Sequence, residues 1–552
     1  MKKNVLLCTI NEITYQKQIK DVDRYTDRKE SMSGNKRVET EAHVKNGIAR
    51  MIIAVLSMVL NVAIVIVTVF KMREMWAWLT VVFTILGLGV VLYIYGRKQT
   101  ASIKMPWMLL IMLFPIGGLV FYLLVGHNLG TKKMRKRYEK IDAVLLPMLA
   151  ENSAEQKELE AKLPYAANIT RYLKKYSGYP VYHNTDITYY DDAAKGLEAQ
   201  KEELRKAKEF IFMEYHAIED AESWHGIQDI LAEKVKEGVE VRVFYDDMGS
   251  IGFVTTDFVK RLEAKGISAR VFNPFVPGLN LFLNNRDHRK ITVIDGRVGF
   301  TGGYNLANEY FHVGEPPYGF WKDTGLKLEG DAVRSLTITF LEMWNAIRGN
   351  DIDDTDFDRY LKEPAYEAKA PGFVTPYADS PMDNIHVGED VYMSIANSAR
   401  DYAWFVTPYL IITEEMISAL SLAARRGVDV RIITPGVPDK KMVYSVTRSF
   451  YNALAVNGVK IYEYTPGFSH CKMCVSDDVM ATCGTINLDY RSLYHHFENG
   501  CFMADCQVVT DIKKDFEEMF RVSENVTDYY ISGRGRFLRF GQMLLRLAAP
   551  LL

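Results

Sequence analysis

The feature of this 552-residue chain that most restricts its fold is a motif that occurs twice. Residues 288–305 and residues 470–487 both follow the pattern H-x-K-x4-D-x6-G-[GT]-x-N. The same order of segments precedes each copy, at 210–245 and at 404–433. An apolar run comes first, then a stretch with the pattern of a helix, and then a second apolar run. This order is typical of βαβ units, in which helices cover a sheet. The sequence therefore predicts an α/β fold of two α/β/α repeats related by a pseudo-twofold axis.

Each copy of the motif is expected to form a β-hairpin, because a turn signal with Asp separates two apolar runs. The His and the Lys of each copy are two positions apart, so on a strand their side chains leave the same face. The Asp of each copy lies at the turn, where turn and backbone hydrogen bonds are its expected role and direct chemistry is the alternative. The candidate catalytic residues are His288, Lys290, Asp295, His470, Lys472 and Asp477.

Two histidines that share one pocket with lysines and amides suit the transfer of a phosphodiester. One imidazole can attack phosphorus while the other protonates the departing alkoxide. The lysines and Asn305 and Asn487 would stabilise the extra negative charge of the transition state. The pocket has no acidic ligand cluster of the kind that holds a metal. The isolated C-x-x-C of Cys471 and Cys474 lacks the second pair of ligands that a zinc site needs.

Apolar residues are concentrated near the N-terminus. After a polar tail, residues 1–46, three uncharged stretches of about 20 residues match the hydrocarbon thickness of a bilayer. Basic residues flank them, so transmembrane helices are predicted. The predicted spans are Met51–Phe70, Ala77–Tyr95 and Met105–Val125.

The topology of these spans depends on two basic segments, 96–104 and 130–140, which both favour the cytoplasm. Both cannot be cytoplasmic if the third stretch crosses the bilayer, and Phe114-Pro115 interrupts that stretch at its centre. We therefore favour two full spans and a third segment that re-enters the membrane or lies in its interface. Three full spans with an outside N-terminus are the alternative. Either arrangement predicts a multi-pass protein of the plasma membrane with its catalytic domains in the cytoplasm.

The two motifs resemble those of the phospholipase D superfamily, and further segments resemble bacterial cardiolipin synthases. The resemblance covers about residues 77–552, and its segments include 484–492 and the ending 549–552. In the third apolar stretch the matching residues are Trp107, Pro115, Gly117, Tyr122 and Gly126.

The resemblance implies a phosphatidyltransferase that makes cardiolipin and glycerol from two molecules of phosphatidylglycerol through a phosphohistidine, and no metal or other cofactor is expected. It assigns His288 as the nucleophile and His470 as the acid and then the base, although the pseudo-symmetry would allow these roles to exchange. The residues expected to bind substrate are Asn305, Asn487, Gly303 and Thr485. The superfamily often has Ser or Thr where this chain has Gly303, so a hydroxyl donor to phosphate is expected only at Thr485.

Each motif is followed by an acidic residue at the head of an apolar strand. These residues, Asp323 and Glu498, are equivalent in the repeat, and similar positions in the superfamily orient the histidines. A catalytic imidazole needs its second ring nitrogen fixed, usually by a carboxylate. We expect this role for both residues, with ordinary surface carboxylates as the alternative.

Other functional classes are less compatible with the sequence. The net charge of −2 provides no basic field for nucleic acid. The resemblance implies phosphatidylglycerol and anionic membrane lipid as the partners. Phospholipase D-type hydrolysis, or transfer to a different alcohol, would use the same residues and stays open, as does the oligomeric state. Two intact motifs argue against an inactive scaffold.

Two apolar segments outside the motifs suit a lipid substrate. Residues 272–283, just before the first motif, are too apolar for an ordinary exposed loop, and a buried loop is the alternative. Arginines alternate with Phe and Leu after residue 533, which predicts an amphipathic helix on anionic lipid, with a docked terminal helix as the alternative. The predicted organisation is a polar tail (1–46), membrane segments (47–128), a first phospholipase D-like domain (129–350), a linker (351–384), a second such domain (385–530) and the C-terminal helix (531–552).

Overall fold

The structure is a computed structural model that describes residues 77–126, 132–274, 285–347, 356–362, 365–383 and 385–532, with isolated positions elsewhere. The polar tail 1–46 lies outside the described residues. The predicted span Met51–Phe70, the apolar loop 272–283 and the C-terminal segment 531–552 also lie largely outside them. The predictions for these segments therefore stay predictions.

The first half contains one copy of the motif and a mixed sheet. Its described strands are β1 (Thr185–Tyr190), β2 (Phe210–Tyr215), β3 (Glu240–Asp246), β4 (Ser268–Phe272), β5 (Arg286–Asp287), β6 (Lys290–Ile294), β7 (Val298–Gly302) and β8 (Gly325–Gly330). The order in the sheet is β1-β8-β7-β6-β2-β3-β4. β2, β3 and β4 are parallel, and the other neighbours are antiparallel.

The second half repeats this arrangement. Its described strands are β9 (Phe373–Asp379), β10 (Tyr402–Val406), β11 (Leu410–Ile411), β12 (Asp429–Pro435), β13 (Lys460–Tyr464), β14 (Met473–Ser476), β15 (Met480–Gly484), β16 (Leu488–Asp489), β17 (His496–Ala504) and β18 (Ser523–Asn525). From β9 the order is β9-β17-β15-β14-β10-β12-β13, which matches the first sheet strand for strand, and β18 extends it. The predicted duplication of the α/β body is confirmed at the level of strand order.

Helices cover both sheets. The β2–helix–β3 and β10–helix–β12 units have the predicted order, and their helices are Glu222–Lys236 and Glu414–Arg425. The other described helices of the body are Lys132–Leu145, Ser153–Lys162, Pro164–Ser177, Ala193–Arg205, Asp247–Ser250, Phe258–Ala264, Val333–Ile347, Val387–Ser398, Lys441–Ala455, Tyr490–Tyr494, Gln507–Arg521 and Thr527–Ile531.

The two halves share a hydrophobic core. Helix Val333–Ile347 is buried over nearly its whole length because it packs on β2 and β6 of the first sheet and on β9 of the second. The short strand β5 belongs to the first half in sequence, yet it pairs in parallel with β17 of the second sheet. These contacts bring the two motifs together.

The segment predicted as a linker, 351–384, differs from that prediction in one stretch. Phe373–Asp379 is β9, which pairs with β17 over seven positions. Pro376 lies within it and has no N–H to donate, and β9 is at the edge of the sheet, where a proline is tolerated.

Near the N-terminus, Ala77–Tyr95 is one helix, whereas the stretch Met105–Val125 is divided. Helix Ala101–Leu113 ends at Phe114, and helix Pro115–Phe121 and a π-helical turn, Tyr122–Gly126, follow. A Cβ at Gly118 would lie 2.7 Å from the backbone of Ile111, so the second helix returns closely along the first. Among the described residues, none of the helices meets the length and hydropathy expected of a membrane span.

Candidate active site

The two motif histidines lie two and three residues before the first strands of the two hairpins, β6 and β14. The backbone N–H of each bonds to the other half of the chain. His288 donates to the carbonyl oxygen of Phe497 at 2.9 Å, and His470 donates to that of Lys322 at 2.8 Å. Each histidine side chain is about nine-tenths buried. The site is thus built at the junction of the halves.

Each motif histidine is hydrogen-bonded to a carboxylate of the opposite half. Glu498 places its two carboxylate oxygens 2.9 and 3.0 Å from Nδ1 of His288. Asp323 places Oδ2 2.7 Å from Nδ1 of His470. With the proton on Nδ1 donated to the carboxylate, Nε2 of each ring keeps its lone pair free for chemistry. The structure therefore brings Asp323 and Glu498 to the histidines, as expected, in a crossed arrangement.

The motif lysines are buried next to the histidines but make different contacts. Lys290 Nζ donates to the carbonyl oxygen of His288 at 2.6 Å. Lys472 Nζ also donates to the carbonyl oxygen of its own histidine, His470, and lies 2.8 Å from Nδ1 of that ring. Nδ1 of His470 therefore faces both a carboxylate and an ammonium group, whereas Nδ1 of His288 faces a carboxylate alone among the described hydrogen-bond partners.

Burial shifts the pKa values of the histidines, the lysines and one carboxylate of the site. It lowers the pKa of His288 and of His470 well below the usual value, and the neighbouring lysines act in the same direction. Burial also lowers the pKa of Lys290 to about 7 and that of Lys472 to about 8. It raises the pKa of Asp323 to about 7, against the opposing effect of Lys472. At neutral pH the empty site therefore holds neutral imidazoles and lysines close to their titration points.

The rings around the two histidines are different. The His288 ring lies 4.9 Å from that of His216 and 5.5 Å from that of His496, centroid to centroid. The His470 ring is surrounded by aromatic side chains, with Tyr310 at 5.3 Å, Phe468 at 5.8 Å and Trp321 at 6.2 Å. The duplicated motif is thus placed in one imidazole-rich and one aromatic environment.

The motif aspartates are placed away from the histidines. Asp295 accepts the backbone N–H groups of residues 208–210, and Asp477 accepts those of residues 400–402, at 2.8–3.0 Å. Both have φ of 52°, as the hairpin turn requires. Asp295 lies five positions beyond Lys290 along an extended strand, a distance of about 16 Å. These contacts are those of the structural role that the sequence favoured, and direct chemistry by either aspartate stays a prediction.

Gly303 and Thr485 occupy equivalent positions and meet the two orienting carboxylates. The Thr485 hydroxyl donates to Glu498 and, at 3.1 Å, to the carbonyl oxygen of Asn499. A Cβ at Gly303 would overlap Oδ1 of Asp323 and lie 2.9 Å from its Cγ. The structure thus places the Thr485 hydroxyl on Glu498, whereas we expected it to face phosphate. Each residue controls the space beside a carboxylate.

The two motif asparagines are buried and occupy equivalent positions in the repeat. Asn305 is held on both sides: Oδ1 accepts the Ala217 N–H at 3.1 Å, and Nδ2 donates to the Tyr310 hydroxyl at 2.9 Å. Oδ1 of Asn487 is buried and has no hydrogen-bond partner among the described residues. Their contact with substrate stays a prediction.

Comparison with known proteins identifies the family. A family model described as "Cardiolipin synthase, PLD-like domain" matches residues 201–315 and 392–520, and each range contains one copy of the motif. A cardiolipin synthase of Halalkalibacterium halodurans is 32% identical over 507 residues, which cover 90% of this chain and 99% of that protein. The chain belongs to the cardiolipin synthase family.

Other relatives extend this result. A cardiolipin synthase of Geobacillus kaustophilus is 33% identical over 85% of this chain and 92% of its own length. An uncharacterized protein of Streptococcus mutans is 42% identical over 84% of this chain and 100% of its own length. As a member of the cardiolipin synthase family the protein is an enzyme, and the resemblance drawn from the two motifs is confirmed.

Three neighbours of the histidines were not identified as site residues from the sequence. His216 follows the buried strand β2, and its Nδ1 lies 2.6 Å from the carbonyl oxygen of Asp287. His496 begins β17, two residues before Glu498, and Tyr310 follows the first motif. A polar residue at the carboxyl end of a buried parallel strand is a usable signal for His216. His496 and Tyr310 come into place through the fold and have no such local signal.

Proposed function

We propose that the protein is a membrane-bound phosphatidyltransferase that makes cardiolipin and glycerol from two molecules of phosphatidylglycerol. The observation that carries this proposal is a pair of buried histidines, each bonded through Nδ1 to a carboxylate of the opposite half. This leaves two Nε2 atoms available for one phosphorus, across a pseudo-twofold axis between the halves. The relatives named cardiolipin synthase support the choice of substrate.

In the first step, Nε2 of His288 attacks the phosphorus of phosphatidylglycerol. A P–N bond forms and the P–O bond to the headgroup glycerol breaks. His470 gives a proton to the departing oxygen, and glycerol leaves. Glu498 accepts the Nδ1–H of His288 and stabilises the positive charge that the ring gains as it becomes phosphorylated.

In the second step, the headgroup hydroxyl of another phosphatidylglycerol attacks the same phosphorus. His470, now neutral, takes the proton of that hydroxyl, the P–N bond breaks, and cardiolipin forms. His470 ends the cycle protonated, and His288 ends it free. The sum is two phosphatidylglycerols converted to one cardiolipin and one glycerol, without a net change in protons.

The unequal surroundings of the rings support His470 as the acid. The pKa of Asp323 is raised to about 7, so the Asp323–His470 pair holds a proton through much of the neutral range. Lys472 Nζ lies 2.8 Å from Nδ1 of His470, and its charge adds to burial in lowering the pKa of that ring, so a protonated His470 releases its proton readily. Binding of an anionic phosphodiester favours the imidazolium form further. His288 lacks such a second donor among the described residues and is suited to attack.

Lys290 and Lys472 supply the positive charge for the phosphoryl oxygens in the transition state. Both are fully buried side chains, so their charge is screened little by water. An incoming phosphodiester raises the pKa of both, because opposite charges favour ionisation. The lysines therefore become fully charged when substrate binds and contribute more to the transition state, which has one additional negative charge.

The N-terminal helices are proposed to hold the enzyme in the membrane. Helix Ala77–Tyr95 exposes large apolar side chains, among them Ile85 at 65% and Leu92 at 71% exposure. Helix Ala101–Leu113 adds Met112 and Leu113, at 60% and 71%. Exposed apolar surface of this extent is typical of contact with lipid. The return of the chain at Phe114 favours a re-entrant or interfacial third segment over a third full span.

The proposal is tested by incubating purified protein with phosphatidylglycerol labelled in phosphorus, as the sole lipid. Labelled cardiolipin with one glycerol released per cardiolipin is expected. Phosphatidic acid as the main product would instead establish hydrolysis. His288→Ala and His470→Ala should each abolish transfer, while His225→Ala, at an exposed histidine, serves as the matched control.

The intermediate is tested by denaturing the His470→Ala enzyme at neutral pH, because a P–N bond does not survive acid. Label should be retained on the peptide that contains His288. Label on another peptide would assign a different nucleophile, and full transfer by either alanine variant would exclude the two-histidine mechanism.

A further inference from the structure

A third histidine, His496, is largely buried at the site. His496 lies at the start of β17, its side chain is 10% exposed, and within the described part of the chain neither ring nitrogen makes a hydrogen bond. Its Nδ1 is 3.6 Å from Oε1 of Glu498, which is itself 2.9 Å from Nδ1 of His288. A buried imidazole that makes no hydrogen bond costs folding free energy, and a ligand bound to its nitrogen would offset that cost.

The three side chains together have the composition of a zinc site. One ligand atom from each of His288, His496 and Glu498 lies within 4.8 Å of the others. Tetrahedral Zn²⁺ with bonds of about 2.1 Å places two ligand atoms about 3.4 Å apart. The separations from the Glu498 oxygen, 2.9 and 3.6 Å, are on either side of this value. Two imidazoles and one carboxylate are a ligand set that zinc prefers and that leaves a fourth position open.

We propose that His288, His496 and Glu498 form a binding site for Zn²⁺, and that zinc bound there reversibly inhibits the enzyme. The inhibition, but not the binding, rests on the proposed function. Zinc can bond to Nδ1 of His288 only when that nitrogen has lost its proton. The neutral ring then carries its proton on Nε2, which has no lone pair left to attack phosphorus. The metal also binds the Glu498 carboxylate, which is then no longer available to stabilise the charged ring of His288.

The other half of the site cannot do the same. The repeat aligns His496-Phe497-Glu498 with Trp321-Lys322-Asp323, so the residue equivalent to His496 is Trp321. The Trp321 ring lies 6.2 Å from that of His470 and has no atom that coordinates zinc. Within the described residues, the duplicated site therefore provides three ligands on the His288 side and two, His470 and Asp323, on the other.

Zinc binding is measured on the purified full-length protein in detergent, by equilibrium dialysis with Zn²⁺ alone. One Zn²⁺ per chain is expected, and His496→Asn should weaken its binding by about 100-fold or more. His495→Asn, at the adjacent histidine, is the matched control and should bind as the wild type does. Co²⁺ in place of zinc should give the intense visible absorption of tetrahedral coordination.

Inhibition is measured as the ratio of each variant's rate with zinc to its own rate without metal. Wild type and His495→Asn should lose most of their transfer activity and recover it with a chelator, and His496→Asn should lose little. Equal zinc binding by wild type and His496→Asn would overturn the proposal. So would an octahedral Co²⁺ spectrum of the wild type, a result that does not depend on folding of a variant. His496→Gln repeats the comparison with a second side chain. A protein that binds zinc through His496 but makes no cardiolipin would refute the proposed function and leave the metal site standing.

Discussion

A methyl group at Gly303 should disable the histidine of the opposite half. In Gly303→Ala, the new Cβ would overlap Oδ1 of Asp323 and lie 2.9 Å from its Cγ and 3.0 Å from its Oδ2. Carbon atoms in contact prefer about 3.5–4.0 Å, so the carboxyl group must retreat by about 0.6–1.1 Å. Its bond to Nδ1 of His470, now 2.7 Å, lengthens to about 3.3–3.8 Å and loses most of its strength.

The expected loss follows from the value of that bond. A hydrogen bond to a charged group contributes about 1.5–3 kcal/mol, and each 1.36 kcal/mol is a factor of ten in rate. We therefore expect kcat of Gly303→Ala to fall by about 10- to 150-fold. KM should change little, because the carboxylate acts on the histidine and not on the lipid.

The assay compares initial rates of cardiolipin formation for Gly303→Ala and for Gly252→Ala. The second variant is the matched control, since a Cβ there meets no atom within 4 Å. Circular dichroism and thermal unfolding establish that both variants are folded. A Gly303→Ala rate within twofold of the control would refute the claim that Asp323 must occupy this space.

The other half of the site offers a rescue experiment. There, Thr485 is accommodated beside the longer Glu498, to which its hydroxyl donates. Gly303→Thr alone should be nearly inactive, whereas Gly303→Thr combined with Asp323→Glu reproduces the pair of the second half. The double variant should be more active than Gly303→Thr. Equal inactivity of both would show that the halves do not tolerate exchange of these pairs.

Three further predictions concern the carboxylates, the lysines and the membrane segment. Asp323→Asn and Glu498→Gln should each keep the fold and lose about 100-fold or more in kcat, and a near-normal rate in either, by the same lipid assay, would show that its carboxylate does not orient a histidine. Since a lysine is charged below its pKa, kcat/KM should fall as pH rises through the pKa of Lys290, about 7, and that of Lys472, about 8, and a pH–rate profile flat from 7 to 9 would contradict this role. A single cysteine at Gln99 in a cysteine-free background should resist an impermeant thiol reagent in intact cells, because its basic loop is expected in the cytoplasm, and labelling there would favour three full spans.

The body of the fold was predictable because its signals are local. Apolar runs separated by Asp-Gly and Asp-Asp gave the hairpins β6–β7 and β14–β15 nearly to the residue. β9 was missed, since its proline weakens the strand pattern, and its place at the sheet edge, where proline is tolerated, is a tertiary property.

The sequence predicted which residues form the candidate site, but not which of them contact one another. The repeat made Asp323 and Glu498 equivalent, but it does not specify which histidine each contacts, because that depends on how the halves pack. The same limit applies to His496, which is beside the His288 ring only because β5 pairs with β17. The sequence predicted that Thr485 would donate a hydrogen bond to phosphate and that Gly303 could not. In the structure the two residues differ instead in how they contact the carboxylates of Glu498 and Asp323.

The crossed carboxylates also set when the chain becomes chemically competent during its own synthesis. A ribosome that has completed the first half has made His288 but not Glu498, which lies 210 residues further along the chain. Until the second half emerges and docks, His288 has no Glu498 to fix its tautomer, and His470 does not yet exist. Under the proposed two-histidine mechanism, a nascent, truncated or proteolysed chain that retains one half therefore cannot cut a phospholipid. Activity would begin only with the finished, assembled molecule.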